Sequence, residues 1–265
     1  MEILVDGCRV HLYTGARPFS PQRPTVVFVH GAAHDHSVFA LQSRYFAWHG
    51  RNVLAVDLPG HGRSGGGPLP TVEAIADWLA ALAAAAGVER VAWVGHSMGS
   101  LAVLECAARH PQYVERIALL GPAVPMAVSE ELLAAAGDDE ATAFAMIIAW
   151  SFNPVNALAA NPSPGMWMTG NALRLLQRSR PGTLANDLRA CNDYAHGLEA
   201  ARACRAPALL VLGERDLMAP PRATPPLVAA LAGARVVTLP ATGHSMMQEA
   251  PDALLDALKA FLPAP

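Results

Sequence analysis

The sequence predicts an α/β fold, in which a mostly parallel, eight-stranded sheet is flanked by helices. Three observations support this prediction. Short apolar runs alternate with helical stretches along most of the chain, as in folds built from strand–helix–strand units. Most of these runs are continuously apolar, which is typical of strands buried on both faces. A length of 265 residues, 52% of them hydrophobic, is enough to form one large core.

The first residues predict a β-hairpin, because the runs 3–5 and 9–13 flank Asp6-Gly7. This hairpin would add an antiparallel edge to the sheet. Further strands are predicted at 25–29, 52–56, 91–94, 117–120, 208–212 and 235–239. The accompanying helices are predicted at 38–49, 72–86, 100–110, 226–232 and 251–262.

One segment, 122–201, breaks the alternation of strands and helices. It contains helical stretches and no run of the buried-strand kind. A single crossover between parallel strands does not require such a length. We therefore expect a helical cap at 122–201, inserted into a core that is formed by 1–121 and 202–265.

The most informative motif is Gly95-His96-Ser97-Met98-Gly99, which follows the strand 91–94 and precedes the helix 100–110. A serine in this context lies on a tight strand-to-helix turn and presents its hydroxyl to a substrate. The flanking glycines are expected because the backbone of such a turn passes close to its neighbours. The motif predicts Ser97 as a nucleophile.

A serine hydroxyl needs a base to take its proton and an acid to orient that base. Asp216 follows the predicted strand 208–212, and His244 follows the strand 235–239. Loops at the carboxyl ends of parallel strands lie at one edge of a sheet, so these side chains are expected near Ser97. Glu214, on the same loop as Asp216, is a competing acid.

Five motifs in order resemble those of the lid-bearing α/β-hydrolases, a superfamily that includes esterases, cofactor-free haloperoxidases, C–C bond hydrolases and epoxide hydrolases. The motifs are His30-Gly31, Asp57-Leu58-Pro59-Gly60-His61-Gly62-Arg63-Ser64, Gly95 to Gly99, Gly213 with Asp216 and Pro220, and Gly243-His244. The resemblance covers nearly the whole chain and implies the same fold.

The resemblance also implies a role for each matching residue. Ser97 would be the nucleophile, Asp216 the orienting acid and His244 the general base. The backbone N–H groups of Ala32 and Met98 would form the oxyanion hole. Relatives that open epoxides carry an aspartate at the nucleophile position, so the serine here points to acyl transfer instead.

Methionine and aromatic residues in the expected cap predict an apolar substrate pocket, although the same residues could simply pack the cap onto the core. The residues expected to bind substrate are His34, Phe144, Ile147, Trp150, Trp167, Met168 and Met218.

The leading functional hypothesis is a carboxylesterase that acts on a small to medium, mostly apolar molecule. Alternatives are a C–C bond hydrolase, a lyase or a perhydrolase with the same triad, or a non-catalytic ligand receptor or binding protein on this scaffold. Ser245 weakens the C–C hydrolase alternative, because many such enzymes have tryptophan directly after the histidine.

Composition argues against several partners. A net charge of −3 favours neither nucleic acid nor an anionic membrane surface. No apolar run approaches the ~20 residues that span a bilayer, and acids replace the basic start of a signal peptide, so we expect a cytoplasmic protein with a small-molecule substrate.

The four cysteines lack ligand spacing. They predict buried, reduced thiols, with a Cys191–Cys204 bridge as an open alternative, and no metal or organic cofactor is expected. The sequence leaves the oligomeric state open.

Overall fold

The computed structural model describes residues 1–20, 22–158 and 165–262. Within them, one sheet of eight strands runs through the molecule. The strands are β1 (Glu2–Val5), β2 (Cys8–Tyr13), β3 (Thr25–Val29), β4 (Asn52–Val56), β5 (Val91–His96), β6 (Val114–Leu120), β7 (Ala208–Gly213) and β8 (Arg235–Leu239).

The sheet is mostly parallel, with strand order β1-β2-β4-β3-β5-β6-β7-β8. All pairings from β4 to β8 are parallel. Strand β2 pairs antiparallel with both β1 and β4. The predicted fold class and its antiparallel edge are therefore confirmed.

Alternate residues of each central strand enter two separate apolar cores, one on each face of the sheet. In β3, Val27 and Val29 belong to one core, and Val26 and Phe28 belong to the other. Every residue of β3, β4, β5 and β7 is buried. Burial on both faces explains why these strands read as uninterrupted apolar runs.

Twelve helices occur in the described part of the chain. They are α1 (Ala40–Trp48), α2 (Val72–Ala85), α3 (Met98–Arg109), α4 (Glu130–Asp138), α5 (Glu140–Ser151), α6 (Pro154–Leu158), α7 (Met168–Leu176), α8 (Thr183–Asp193), α9 (Gly197–Ala203), α10 (Pro225–Ala230), α11 (Met246–Glu249) and α12 (Pro251–Phe261). Helices α6, α9 and α11 were not expected, because segments of four to seven residues are too short to display a helical period.

Side-chain caps fix the start of several helices. Thr71 Oγ1 accepts the N–H of Ala74 at 3.1 Å at the start of α2. Ser129 plays the same part for α4, where its Oγ accepts the N–H of Leu132 at 3.3 Å. Each cap satisfies one of the backbone donors that a helix start leaves unpaired.

The segment between β6 and β7 is helical wherever it is regular and described, from α4 to α9. Apolar residues of α4, α5, α7 and α8 form a third cluster, which also includes Ala33 of the loop after β3, whereas Ala200 and Ala201 of α9 belong to a core of the sheet. The division of the chain into a cap at 122–201 and a core stays a prediction.

All four cysteines are free thiols. Cys106, Cys191 and Cys204 are buried, but Cys8 is exposed, so its predicted burial was wrong. Cys8 directly follows the Asp6-Gly7 turn, beyond the part of β2 that pairs with β4. In addition, the described residues include no helix that is long and apolar enough to span a membrane.

The loop after β4 is held by the buried carboxylate of Asp57. Its Oδ1 accepts the backbone N–H of His36 at 2.8 Å and lies 2.7 Å from the His36 Nδ1, while Oδ2 accepts the N–H of Arg63 at 2.9 Å. Burial alone would raise the pKa of Asp57, but the hydrogen bond from His36 and the backbone bonds lower it to about 2.

We predict that Asp57→Ala lowers the free energy of unfolding at pH 7 by about 2–4 kcal/mol, because His36 and the backbone N–H groups of His36 and Arg63 lose their buried acceptor. Urea denaturation measures this change. The depressed pKa means that the wild-type contribution is present above about pH 4 and is lost as the pH falls towards 2.

Asp77→Ala is the matched control, since Asp77 forms an ion pair with Arg109 in which both side chains are more than 40% exposed. Its removal should cost less than about 1 kcal/mol. Equal losses for the two variants would contradict the role given to Asp57.

Candidate active site

Ser97 lies on a strained turn between β5 and α3. Its φ is +53° and its ψ is −120°, and its N–H donates to the carbonyl oxygen of Leu120 at 2.9 Å. A side chain on Gly95 would overlap the carbonyl oxygen of Gly99. A positive φ at a non-glycine residue is costly and is typical of functional positions.

His244 and Asp216 form a buried hydrogen-bonded pair. The distance from His244 Nδ1 to Asp216 Oδ2 is 2.7 Å, and the two residues are 5% and 2% exposed. Asp216 Oδ1 accepts the N–H groups of Met218 and Ala219, each at 2.8 Å. The carboxylate therefore has a fixed orientation, and it selects the tautomer in which His244 Nε2 carries a free lone pair.

The competing acid, Glu214, is directed elsewhere. Its Oε2 accepts the N–H of Ala241 at 2.8 Å and lies 3.7 Å from Nε of Arg215. The side chain of Glu214 is 49% exposed. Asp216 is thus the carboxylate that the fold places against His244.

The loops that carry Ser97 and His244 are in direct contact. His96, the residue before Ser97, has its Nε2 3.0 Å from the carbonyl oxygen of His244, and the two rings are 4.6 Å apart. Ser97 and His244 line the same cavity. A Cβ on Gly31 would lie 3.1 Å from Cβ of Ser97, which brings the loop after β3 to this cavity as well.

The amides of Ala32 and Met98 are candidate donors to a negative charge. Met98 is the first residue of α3, so its N–H has no partner within the helix and lies at the positive end of the helix dipole. The carbonyl oxygen of Gly31 is bonded by His30 Nδ1 at 2.8 Å and by the N–H of His34 at 3.3 Å. Because a trans peptide directs its N–H opposite to its C=O, the Ala32 N–H is turned away from these bonds. Neither amide donates to another described residue.

The cavity has a volume of about 350 Å³ and a mainly apolar wall. Of the residues expected to bind substrate, His34, Ile147, Trp150 and Met218 line it. Lys, Arg, Asp and Glu are absent from its described lining. Met126, one of the methionines of the expected cap, also lines the cavity. The larger apolar wall residues that were not expected from the sequence are Val38, Val128, Leu132, Leu188, Leu217 and Met247.

Phe144, Trp167 and Met168 lie outside the described lining, contrary to expectation. Phe144 packs inside the helical cluster, and Met168 packs against Phe152. Trp167 is 73% exposed and lies against Gly170 of α7, the helix that it precedes. An apolar side chain in the sequence is equally consistent with packing in a core and with lining a pocket, so these three residues could not be separated from the true lining. The composition of α8 likewise does not show that Leu188 faces the cavity.

His34 is half-buried and makes a short hydrogen bond. Its Nδ1 lies 2.6 Å from the carbonyl oxygen of Ala32. Burial lowers the pKa of His34, although the bond to Ala32 acts in the opposite direction. The imidazole is therefore neutral at pH 7, donates from Nδ1 and keeps Nε2 as an acceptor.

One group of side chains in the described part of the chain has metal-ligand spacing, with ligand atoms of His11, His36 and Asp57 within 4.8 Å of one another. The carboxylate of Asp57 already accepts hydrogen bonds from His36 and from backbone. None of the three residues is among those that line the cavity. The group is explained by its structural bonds in the loop after β4.

Comparisons with known proteins agree with this architecture. The family model for the alpha/beta hydrolase fold matches residues 24–251. A pimeloyl-[acyl-carrier protein] methyl ester esterase from Chromobacterium violaceum is 32% identical over 231 residues, which cover 84% of this chain and 88% of that protein. The corresponding esterase from Xanthomonas campestris is 29% identical over 255 residues, 91% of this chain and 96% of that protein. Among solved structures, the enol-lactonase from Burkholderia xenovorans LB400 has a TM-score of 0.87 and 25% identity, with 99% of both chains covered.

We predict that Gly95→Ala lowers the free energy of unfolding by about 1–3 kcal/mol, because the added methyl group collides with backbone at the turn. Thermal or urea unfolding measures the change. Gly67→Ala is the matched control, since a Cβ at Gly67 meets no atom within 4 Å and should change stability by less than about 0.5 kcal/mol. A Gly95→Ala variant as stable as the Gly67→Ala variant would be inconsistent with a close-packed turn.

Proposed function

The chain belongs to the α/β-hydrolase fold family, and from this premise we propose that it is a serine hydrolase that cleaves carboxylic esters. One observation carries the proposal: Ser97 shares an apolar cavity with a histidine whose Nδ1 is held 2.7 Å from a buried carboxylate. The esterases and the enol-lactonase to which the chain is similar act on esters, as their names state. Their similarity supports this bond type for the present chain.

In the proposed first step, Ser97 Oγ attacks the ester carbonyl while His244 Nε2 takes its proton. The new O–C bond forms as the carbonyl π electrons move onto oxygen. Asp216 stabilises the imidazolium that results, because its carboxylate remains hydrogen-bonded to Nδ1. The N–H groups of Ala32 and Met98 would donate to the oxyanion.

Collapse of this intermediate breaks the bond to the leaving alcohol, which receives the proton from His244. Water then attacks the acyl-enzyme, again with His244 as the base. The second tetrahedral intermediate releases the carboxylic acid and returns the proton to Ser97. The three side chains and two amides supply every proton transfer and charge contact in this scheme.

The cavity supports a small to medium, mostly apolar substrate. Its volume of about 350 Å³ is at the lower end of the range for ligand pockets. Helices α4, α5 and α8 contribute apolar wall residues, namely Leu132, Ile147, Trp150 and Leu188. We therefore propose that the helical segment between β6 and β7 acts as a cap that shapes the acyl or alcohol site.

We predict that the protein hydrolyses p-nitrophenyl esters and that Ser97→Ala lowers kcat/KM by at least about a thousandfold, because the nucleophile is removed. Ser43→Ala is the matched control, since this buried serine of α1 lies outside the cavity lining. Its kcat/KM should stay within about threefold of the wild type. Full activity in a folded Ser97→Ala variant would rule out the proposed mechanism.

A fluorophosphonate probe separates this function from its alternatives. One phosphonyl group should add to Ser97, and His244→Ala should slow the labelling, because the base no longer activates the hydroxyl. A folded wild-type protein that binds esters without labelling or turnover would favour a binding protein. Labelling with turnover of a dienedione, but not of esters, would favour a C–C bond hydrolase.

We also predict a preference for uncharged acyl chains. A p-nitrophenyl ester of an unbranched fatty acid should have a kcat/KM at least about tenfold higher than one whose acyl chain of equal length ends in a carboxylate. The charged end would be buried without a cationic partner. Steady-state kinetics on matched pairs of esters measures the ratio, and equal values for both members of a pair would argue against acyl binding in this cavity.

A further inference from the structure

The peptide unit between Ala32 and Ala33 is held at both ends. Its carbonyl oxygen lies 2.6 Å from His34 Nδ1, and its N–H donates to Asp187 Oδ2 at 2.9 Å. Asp187 belongs to helix α8, so a residue of the helical segment reaches the loop that carries the Ala32 amide. We call residues 30–34 the oxyanion loop.

Asp187 is buried as one half of a charged pair. The side chains of His61 and Asp187 are 2% and 1% exposed, and Nε2 of the histidine lies 2.8 Å from Oδ2 of the carboxylate. The other ring nitrogen lies 2.9 Å from the carbonyl oxygen of Pro59. Both ring nitrogens therefore face oxygen atoms that can accept a hydrogen bond, and an imidazolium that donates from each nitrogen satisfies this arrangement.

The electrostatics of His61 agree with this assignment. Burial would lower the pKa of His61, but the hydrogen bond and the charge of Asp187 outweigh burial and raise it. Pairing also makes it possible to bury the carboxylate, because an unpaired charge at this depth would be strongly unfavourable. The same Oδ2 atom accepts from both His61 and Ala33.

The oxyanion loop needs such a restraint because its backbone is strained. Ala33 has a φ of +54°, a value that a residue with a side chain adopts only when its surroundings enforce it. The preceding peptide unit, with the Gly31 carbonyl and the Ala32 N–H, is joined directly to the clamped one. The Gly31 carbonyl would keep its bonds to His30 and His34, but release of the Ala33 N–H would remove the restraint that holds Ala33 at a positive φ, and the Ala32 amide would shift relative to the cavity.

We propose that Asp187 is a positioning residue for the oxyanion hole, which makes the helical segment part of the catalytic apparatus. Asp187 is not among the residues that line the cavity of Ser97. It acts by fixing the peptide next to the Ala32 amide, while the adjacent Leu188 lines the cavity. This inference rests on the proposed esterase function.

The test compares Asp187→Ala and Asp187→Asn with the control Arg180→Ala. Arg180 also ties the helical segment to the core, through bonds to the carbonyl oxygens of Gly66 at 2.9 Å and Ser64 at 2.6 Å, and neither of these carbonyls belongs to the oxyanion loop. Turnover of a p-nitrophenyl ester is divided by the concentration of sites that a fluorophosphonate titrates, so that loss of folded protein does not count as loss of kcat.

Asp187→Ala should lower kcat by about ten- to a hundredfold and leave KM within about threefold, because only the transition state places a full charge at the oxyanion hole. Asp187→Asn should lower kcat by at least about threefold but by less than Asp187→Ala does, since the amide oxygen of asparagine can still accept the Ala33 N–H. Arg180→Ala should keep kcat within about threefold of the wild type.

A second readout distinguishes positioning from general stabilisation. A trifluoromethyl ketone adds to a serine nucleophile and carries an oxyanion, so its inhibition constant for Asp187→Ala should rise by the factor by which kcat/KM falls. If Asp187 had a purely structural role, its substitution would lower the melting temperature, but the inhibition constant would not rise in proportion to the fall in kcat/KM.

The proposal is overturned if folded Asp187→Ala keeps kcat within threefold, or if Arg180→Ala loses as much as Asp187→Ala. If the alanine variant does not fold, the asparagine variant decides, and an unchanged kcat overturns the proposal. A wild-type protein that neither hydrolyses esters nor is labelled at Ser97 would instead refute the proposed function, and this inference with it.

Discussion

The hydrogen bond between His244 and Asp216 is the interaction on which the proposed chemistry depends. It joins loops that follow β7 and β8, which pair in parallel with Gly213 opposite Leu239. The pair can form because the two strands end at the same level of the sheet. It selects the tautomer of His244, and the contact of His96 with the His244 backbone links it to the turn of Ser97. Strand register therefore determines the arrangement of the candidate site.

Buried carboxylates that accept backbone N–H groups hold the loops around this site. Asp187 does so for the loop after β3. Glu249 does so beside His244, where its oxygens accept the N–H groups of Gly243 and Asn153, each at 2.9 Å. Burial raises the pKa of Glu249, although these hydrogen bonds act in the opposite direction. Asp187 and Asn153 both belong to the segment between β6 and β7, so that segment is bonded to the loops on both sides of the cavity.

The sequence predicted those features that depend on local pattern. Apolar runs identified the strands, and glycines with a serine identified the turn at Ser97. Contacts between distant segments were not predictable in the same way. Asp187 occupies an ordinary helix position, and only packing of α8 onto the core brings it to Ala33. Trp167 illustrates the same limit. An aromatic side chain predicts burial against some partner, but the structure leaves Trp167 exposed.

The most direct test of this account is a crystal structure of the protein after reaction with a fluorophosphonate ester. We predict a bond from phosphorus to Ser97 Oγ, with the phosphoryl oxygen about 2.7–3.1 Å from the amide nitrogens of Ala32 and Met98. His244 Nε2 should face the bonded oxygen, with Nδ1 still bound to Asp216. Phosphorus on another residue, or a phosphoryl oxygen directed away from both amides, would contradict the account.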